Sequence, residues 1–156
     1  MGQSSSASNR GNVTLEQFKK LGPPTFHGTT NPMVAEAWLK QIQKILDAIG
    51  CSDELRVVFA TFSLQGEADH WWEATARMLR RSLGTRPISW KAFVDAFYEK
   101  YFPRNVANQM EREFLDLVQG NKSVAEYENK FNALSRFIPT LVDTEEKKCR
   151  RFLEGL

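Results

Sequence analysis

Apolar residues recur at three- and four-residue spacing along most of this chain, from residue 31 to the last residue. This spacing places the apolar side chains of each stretch on one helical face. Asn31, Ser52, Ser89 and Ser123 each precede such a stretch, where short polar side chains serve as N-caps, and Gly or Pro ends most of the stretches. No stretch shows the alternation of a strand. The pattern predicts an all-α fold of about seven short helices.

The chain before residue 26 is mostly polar and is broken by glycine and proline. Residues 1–12 are Ser, Asn, Gly and Gln with almost no apolar side chain, so we expect them to be disordered. Residues 13–20 carry enough apolar positions for a weak helical turn or two, and Gly22-Pro23-Pro24 ends it. We therefore assign residues 1–25 to a disordered or weakly ordered tail.

The helical stretches fall into two groups that meet near Pro103-Arg104. The chain restarts there with a polar segment, which predicts an N-terminal lobe over residues 26–103 and a C-terminal lobe over residues 104–156. Each lobe is small and therefore marginally stable alone. The apolar stripe of the last helix still runs at Leu156, which indicates a truncated second lobe. The large apolar residues predicted to form the first lobe's core are Trp38, Phe59, Trp71, Trp72, Trp90 and Phe93.

The segment Gln119–Phe131 combines a turn with a helix start. Gln119 and Gly120 are expected to close the preceding helix, with Gly120 at positive φ. Ser123 and Glu126 form a capping-box pattern, and Asp143 with Glu146 repeats it before the last helix. The residues of one apolar face after this start are Val124, Tyr127, Phe131, Leu134 and Ile138.

The order Q-G-x-x-S-V-x-E-Y-x-x-x-F in this segment resembles the signature of the gag capsid of gypsy-type LTR retrotransposons. The resemblance extends from Phe26 to Leu156. It implies a two-lobed helical fold similar to retroviral capsid proteins, and a structural protein whose copies form a virus-like particle around the element's RNA. The residues that look like the family's version of the major homology region, with a scaffold role and no RNA contact, are Gln119, Gly120, Ser123, Glu126, Tyr127 and Phe131.

Composition narrows the functional classes. The 156 residues carry a net charge of +2, which gives little support to a dedicated nucleic-acid binder. Cys51 and Cys149 are the only cysteines, so this segment has no four-ligand zinc knuckle such as many gag proteins carry. Two cysteines without an apolar leader suit a reducing compartment, and no apolar run approaches the ~18 residues of a membrane span. We expect a cytoplasmic protein without cofactors or small-molecule substrates.

No catalytic constellation is visible in the sequence. His27 and His70 are the only histidines, and neither stands in a pattern typical of catalysis. The chain contains no G-x-S-x-G, Walker A or paired zinc-ligand motif. We expect that it is not an enzyme.

Three features have both a functional and a structural interpretation. Trp71-Trp72 could stack on bases, but core packing is favoured for at least one of them. Phe26 either plugs a groove on the first lobe, its own or a neighbour's, or covers the edge of the core. Gly2 fits a myristoylation pattern, which we do not favour because no polybasic segment follows it.

A basic cluster lies between the third and fourth predicted helices. It could contact RNA or line an assembly pore, but a solvated helix end is the favoured interpretation. Its members are Arg77, Arg80, Arg81, Arg86 and Lys91.

The leading hypothesis is a self-associating gag capsid protein, for which RNA is a weak partner through this segment. One alternative is a domesticated gag that acts as a helical adaptor for peptides or proteins. Another is a nucleic-acid chaperone that uses the cluster from Arg77 to Lys91.

Overall fold

The structure is a computed structural model that describes residues 13–137 and 144–156. Within these residues the secondary structure is helical, apart from one isolated parallel bridge between Phe26 and Leu64. The expected all-α fold is confirmed. The eight helices of the described residues are α1 (Leu15–Lys20), α2 (Pro32–Ile49), α3 (Asp53–Phe62), α4 (Gly66–Leu83), α5 (Trp90–Tyr101), α6 (Arg104–Leu115), α7 (Val124–Ser135) and α8 (Glu145–Gly155).

The helix starts follow the local chemistry of the sequence. Asn31 Oδ1 accepts a hydrogen bond from Met33 N at 3.0 Å, with Pro32 at the first helical position of α2. Ser52 Oγ accepts from Leu55 N at 3.3 Å at the start of α3. These caps satisfy amide groups that have no intrahelical partner, so they form where the sequence placed them.

Helix α1 is more firmly held than the sequence suggested. Thr14 and Gln17 form a complete capping box at its start. Phe18 is fully buried and stacks on Phe59 with ring centroids 5.3 Å apart. Residues 13–25 are thus part of the folded protein rather than a weakly ordered tail, whereas the expected disorder of residues 1–12 lies outside the described residues.

The chain divides into two compact units, one that ends at Tyr101 and one that begins at Phe102. The boundary that we expected, at Pro103-Arg104, lies two residues further along. Of the six core residues expected in the first unit, four are buried and two, Trp71 and Trp90, are half-buried. The Trp38 indole N–H donates to Pro24 O at 2.9 Å, so this ring also anchors the segment that follows α1.

The second unit is built from α6, α7 and α8. Its buried side chains come mainly from α6 and α7, while Phe152 of α8 packs on Tyr127 with ring centroids 5.0 Å apart. Helix α8 begins at the N-cap Thr144, whose Oγ1 accepts from Lys147 N at 3.1 Å. The structure thus assigns this cap to Thr144, and the expected cap Asp143 lies outside the described residues.

Several residues of the expected apolar stripes are not buried. Each helix of a small unit is covered by its neighbours over only part of its surface, so the flanks of a wide apolar stripe remain in contact with solvent. The side chains of this kind that are at least half exposed are Val34, Val58, Phe62, Met78, Val118, Val124, Leu153 and Leu156.

None of the helices in residues 13–137 and 144–156 combines the length and the apolar character that a crossing of the bilayer needs.

Candidate functional site

Tyr127 is the centre of the second unit. It is among the largest fully buried side chains of the described chain. Its phenol O–H donates to Phe152 O at 2.9 Å, which ties the first turns of α7 to the end of α8. Burial raises the pKa of this phenol, because removal from water disfavours the charged phenolate. The scaffold role expected for Tyr127 remains a prediction.

Gly155 faces Tyr127 at close range. A Cβ atom on Gly155 would overlap the hydroxyl oxygen and the ring of Tyr127, and it would also press on Leu117 O. Gln119 N donates to Gly155 O at 2.6 Å, so Gly155 also anchors the loop that precedes α7. This role of Gly155 was not expected from the sequence, although a glycine within a helical pattern often has a packing reason.

We had expected the Gln119-Gly120 pair to close a helix, but it does not. Helix α6 ends at Leu115, with Asp116 as its C-cap, so the pair lies in the following turn. Gln119 Nε2 donates to Lys122 O at 3.0 Å and Lys122 N donates to Gln119 O at 2.9 Å. Gly120 does adopt positive φ, +52°. The pair therefore shapes the loop that joins α6 to α7 and brings Gln119 to Gly155.

The cap of α7 is simpler than a full capping box. Ser123 Oγ accepts from Glu126 N at 3.1 Å, which is one of the two expected bonds. Further along α7, Phe131 packs between Phe114 and Phe152, with ring centroids 5.2 Å and 5.3 Å apart. The six signature residues thus form the loop, the start and the packed face of α7.

Phe26 lies inside the first unit. It is buried, with its ring 5.1 Å from Trp38 and 5.0 Å from Tyr101. Its backbone N–H donates to Ser63 O at 2.9 Å, and its carbonyl accepts from Gln65 N at 2.8 Å. The segment that follows α1 therefore occupies a groove of its own unit, and Phe26 belongs to the core rather than to its edge.

The adjacent tryptophans serve the same core. Trp72 is buried with its ring 5.1 Å from Phe93, and Trp71 is half-buried with its ring 5.7 Å from Tyr101. Neither ring stands free as a stacking platform, because each is packed against a neighbouring aromatic side chain.

The basic cluster separates into two groups. Lys91 Nζ pairs with Asp95 Oδ2 at 2.7 Å on α5. Arg77, Arg80 and Arg81 lie on the last turns of α4, where together with Glu73 they surround a shallow hollow. Within the described residues, no carboxylate lies within 4.0 Å of any of these three guanidinium groups or of Arg86. The arginines therefore form the part of the cluster that is open to an anionic partner.

The cysteines have different surroundings. Cys51 is buried, and burial raises the pKa of its thiol, while Cys149 on α8 is exposed. Among residues 13–137 and 144–156, no three His, Cys, Asp or Glu side chains gather as they would around a metal ion.

A family model, Retrotransposon-derived protein PEG10, N-terminal capsid-like domain, matches residues 20–102. The chain belongs to this family of retrotransposon-derived capsid-like domains. The resemblance to a gag capsid, which rested most strongly on Gln119–Phe131, is therefore confirmed by a match that lies in the other part of the chain. Comparisons with curated proteins and with solved structures found no match.

Membership of the PEG10 capsid-like family accounts for the character of the first unit. The matched residues run from the end of α1 to just past α5, so they contain the bridge at Phe26 and the aromatic core around Trp38. A capsid-like gag domain has a structural role. Dense aromatic packing suits that role.

Proposed function

We propose that the chain is a gag capsid subunit whose copies associate into a virus-like particle around the RNA of an LTR retrotransposon. The observation that carries this proposal is the PEG10 capsid-like match over residues 20–102. The signature segment Gln119–Phe131, folded around Tyr127 in the second unit, supports it. We assign the chain no catalytic step and propose that it acts in the cytoplasm.

The exposed apolar side chains support self-association. Leu153 is 66% exposed and Leu156 is 50% exposed on or beside α8, and Val124 at the start of α7 is 53% exposed. Met78 is 64% exposed on α4 in the first unit. Several apolar contacts on each copy give a stable lattice through avidity, even where each contact alone is weak.

The test is assembly of the full chain, with and without added RNA. We expect large particles by light scattering and by negative-stain electron microscopy. Leu153→Asp should reduce assembly without unfolding the subunit, because the side chain is already exposed. Met78→Asp places the same charge at a matched exposure on α4, so comparing the two variants shows which of these two apolar positions contributes more to assembly. A wild-type chain that stays monomeric under all conditions would refute the particle and favour the adaptor alternative.

A nucleic-acid chaperone is the second candidate, favoured by Arg77, Arg80 and Arg81, which have no carboxylate within 4.0 Å among the described residues. It requires RNA affinity that falls steeply as salt rises, because counterions are released from the phosphates on binding. Binding that is absent or insensitive to salt between 50 and 200 mM, the range over which phosphate contacts weaken strongly, would exclude it.

A further inference from the structure

A preformed groove lies on the first unit, away from the Phe26 segment. It is bounded by α3, the end of α4 and the loop that leads to α5, and it has a volume of about 350 Å³. Its lining includes Val58 and Glu54 of α3, Trp72 and Arg80 of α4, and Arg86 and Ile88 of the loop.

The loop that forms one wall is held at both ends. At its start, Gly84 N donates to Arg80 O at 3.0 Å and Arg86 N donates to Leu83 O at 3.3 Å. At its end, Asp53 Oδ2 accepts from Trp90 N at 2.9 Å, which joins the start of α3 to the start of α5. Because this wall is already fixed, a ligand that binds in the groove does not have to order a mobile loop, and the entropic cost of binding is smaller.

The groove combines an apolar surface with a cationic rim. Trp72 and Ile88 contribute its buried floor, while Val58 is 51% exposed on the wall. Arg86 Nε donates to Leu83 O at 3.2 Å, which positions its guanidinium at the rim. Arg80 and Arg86 have no carboxylate within 4.0 Å in the described chain. A ligand with a carboxylate beside an apolar side chain would satisfy both surfaces.

We propose that this groove binds a short acidic peptide segment of a partner protein, with its carboxylate on Arg80 and Arg86 and its apolar side chain against Val58. The volume is in the range of small ligand sites and suits a few residues of extended chain. This proposal does not depend on particle formation.

The observations favour a peptide over nucleic acid. Single-stranded nucleic acid binds by stacking its bases on accessible aromatic faces, but Trp72, the aromatic residue of the groove, is buried. The chain's own residues 1–12 contain no Asp or Glu, so they lack the charge that the rim requires.

The experiment uses the full chain and an acetylated Asp-Leu-Glu-Leu amide peptide as the probe. We expect the peptide to shift the amide resonances of Val58, Thr85 and Ile88 and the indole resonance of Trp72. An Asn-Leu-Gln-Leu peptide of the same shape should bind about tenfold more weakly, because charge-assisted hydrogen bonds are lost. Equal binding of the two peptides, or no shifts at millimolar peptide, would overturn the proposal.

Variants locate the site. Arg80→Gln and Val58→Asp should each weaken binding of the acidic peptide about tenfold, since one removes a cation and the other adds an anion at an exposed position. Arg77→Gln is the matched control, because Arg77 lies on the same helix but outside the groove. An oligouridine that binds more tightly than the peptide, and that loses affinity equally in Arg77→Gln and Arg80→Gln, would assign the surface to nucleic acid and refute the peptide site. Light scattering of the same variants reports particle assembly separately.

Discussion

At the scale of single residues, the second unit depends on a pairing of unlike side chains. Tyr127 is large and fully buried, and Gly155 has no side chain where the phenol needs space. The phenol also satisfies Phe152 O, which lies near the helix end where carbonyl groups lose their intrahelical partners. Tyr127 and Gly155, which are 28 positions apart in the sequence, are therefore matched in size, and the phenol is matched in hydrogen bonding to the end of α8.

Gly155→Ala tests this match. Alanine favours helix by about 1 kcal/mol over glycine, so an open helical site would be stabilised. Here the added methyl group overlaps Tyr127, and we expect a net destabilisation of about 1–3 kcal/mol. Urea unfolding followed by circular dichroism measures it.

Tyr127 variants are the controls for this overlap. Tyr127→Phe alone should cost about 1 kcal/mol through the lost hydrogen bond, and Tyr127→Ala a few kcal/mol through the cavity. The double variant Tyr127→Phe with Gly155→Ala should lose less unfolding free energy than the two single variants lose together, because the hydroxyl that overlaps the methyl is gone. Strict additivity would mean that the two residues do not interact.

At the scale of elements, α1 shows how tertiary contacts stabilise a short helix. Six residues are too few for a stable helix in water. Its capping box satisfies the start, and Lys19 and Lys20 complement the dipole at its end. Phe18 supplies the remaining stabilisation by packing on Phe59. The helix is therefore part of the first unit's core.

Phe18→Ala should destabilise the first unit by about 3–5 kcal/mol, because a fully buried aromatic side chain is removed. All four tryptophans lie in this unit, so the shift of the tryptophan-fluorescence midpoint in urea reports it.

Phe62→Ala is the matched control for this truncation. Phe62 is half exposed, and its ring interacts with Lys19 Nζ at 4.9 Å. The expected cost is about 1 kcal/mol or less, because the cation–π contact lies at the surface. If Phe18→Ala shifts the midpoint no more than Phe62→Ala does, α1 does not stabilise the unit.

At the scale of the whole molecule, all three tyrosines share one property. Burial raises the pKa of Tyr98, Tyr101 and Tyr127, and the carboxylates of Glu36 and Glu67 add to the shift for the first two. The folded chain therefore holds each phenol in its neutral form more strongly than the unfolded chain does.

This property predicts alkaline sensitivity. The contribution of the phenols is fully present below the unfolded pKa near 10.0, and it is lost as the pH rises through the higher folded values. Urea midpoints at pH 8, 10 and 11 should fall in that order, and absorbance at 295 nm should show phenolate forming above its usual pH. Tyr127→Phe should reduce the loss. An identical loss in that variant would show that Tyr127 does not contribute.

Much of the local structure was predictable from the sequence. The caps at Asn31, Ser52 and Ser123 form as expected, because a cap depends on a few neighbouring residues. The sequence predicts a later end for α6 than the structure shows, because Leu117 and Val118 continue the apolar spacing after the helix has ended at Leu115. Apolar spacing marks a face but does not show where the chain leaves it.

The sequence by itself determined the helical class, most helix starts and the capsid family, because periodicity, caps and ordered motifs are local properties of the chain. Only the tertiary structure decided that Phe26 packs in the core of its own unit, that Gly155 leaves space for the Tyr127 phenol and that Val58 and Leu153 stay exposed. Each of these outcomes depends on which distant segment comes to lie against the residue, and spacing along one helix carries no information about that partner.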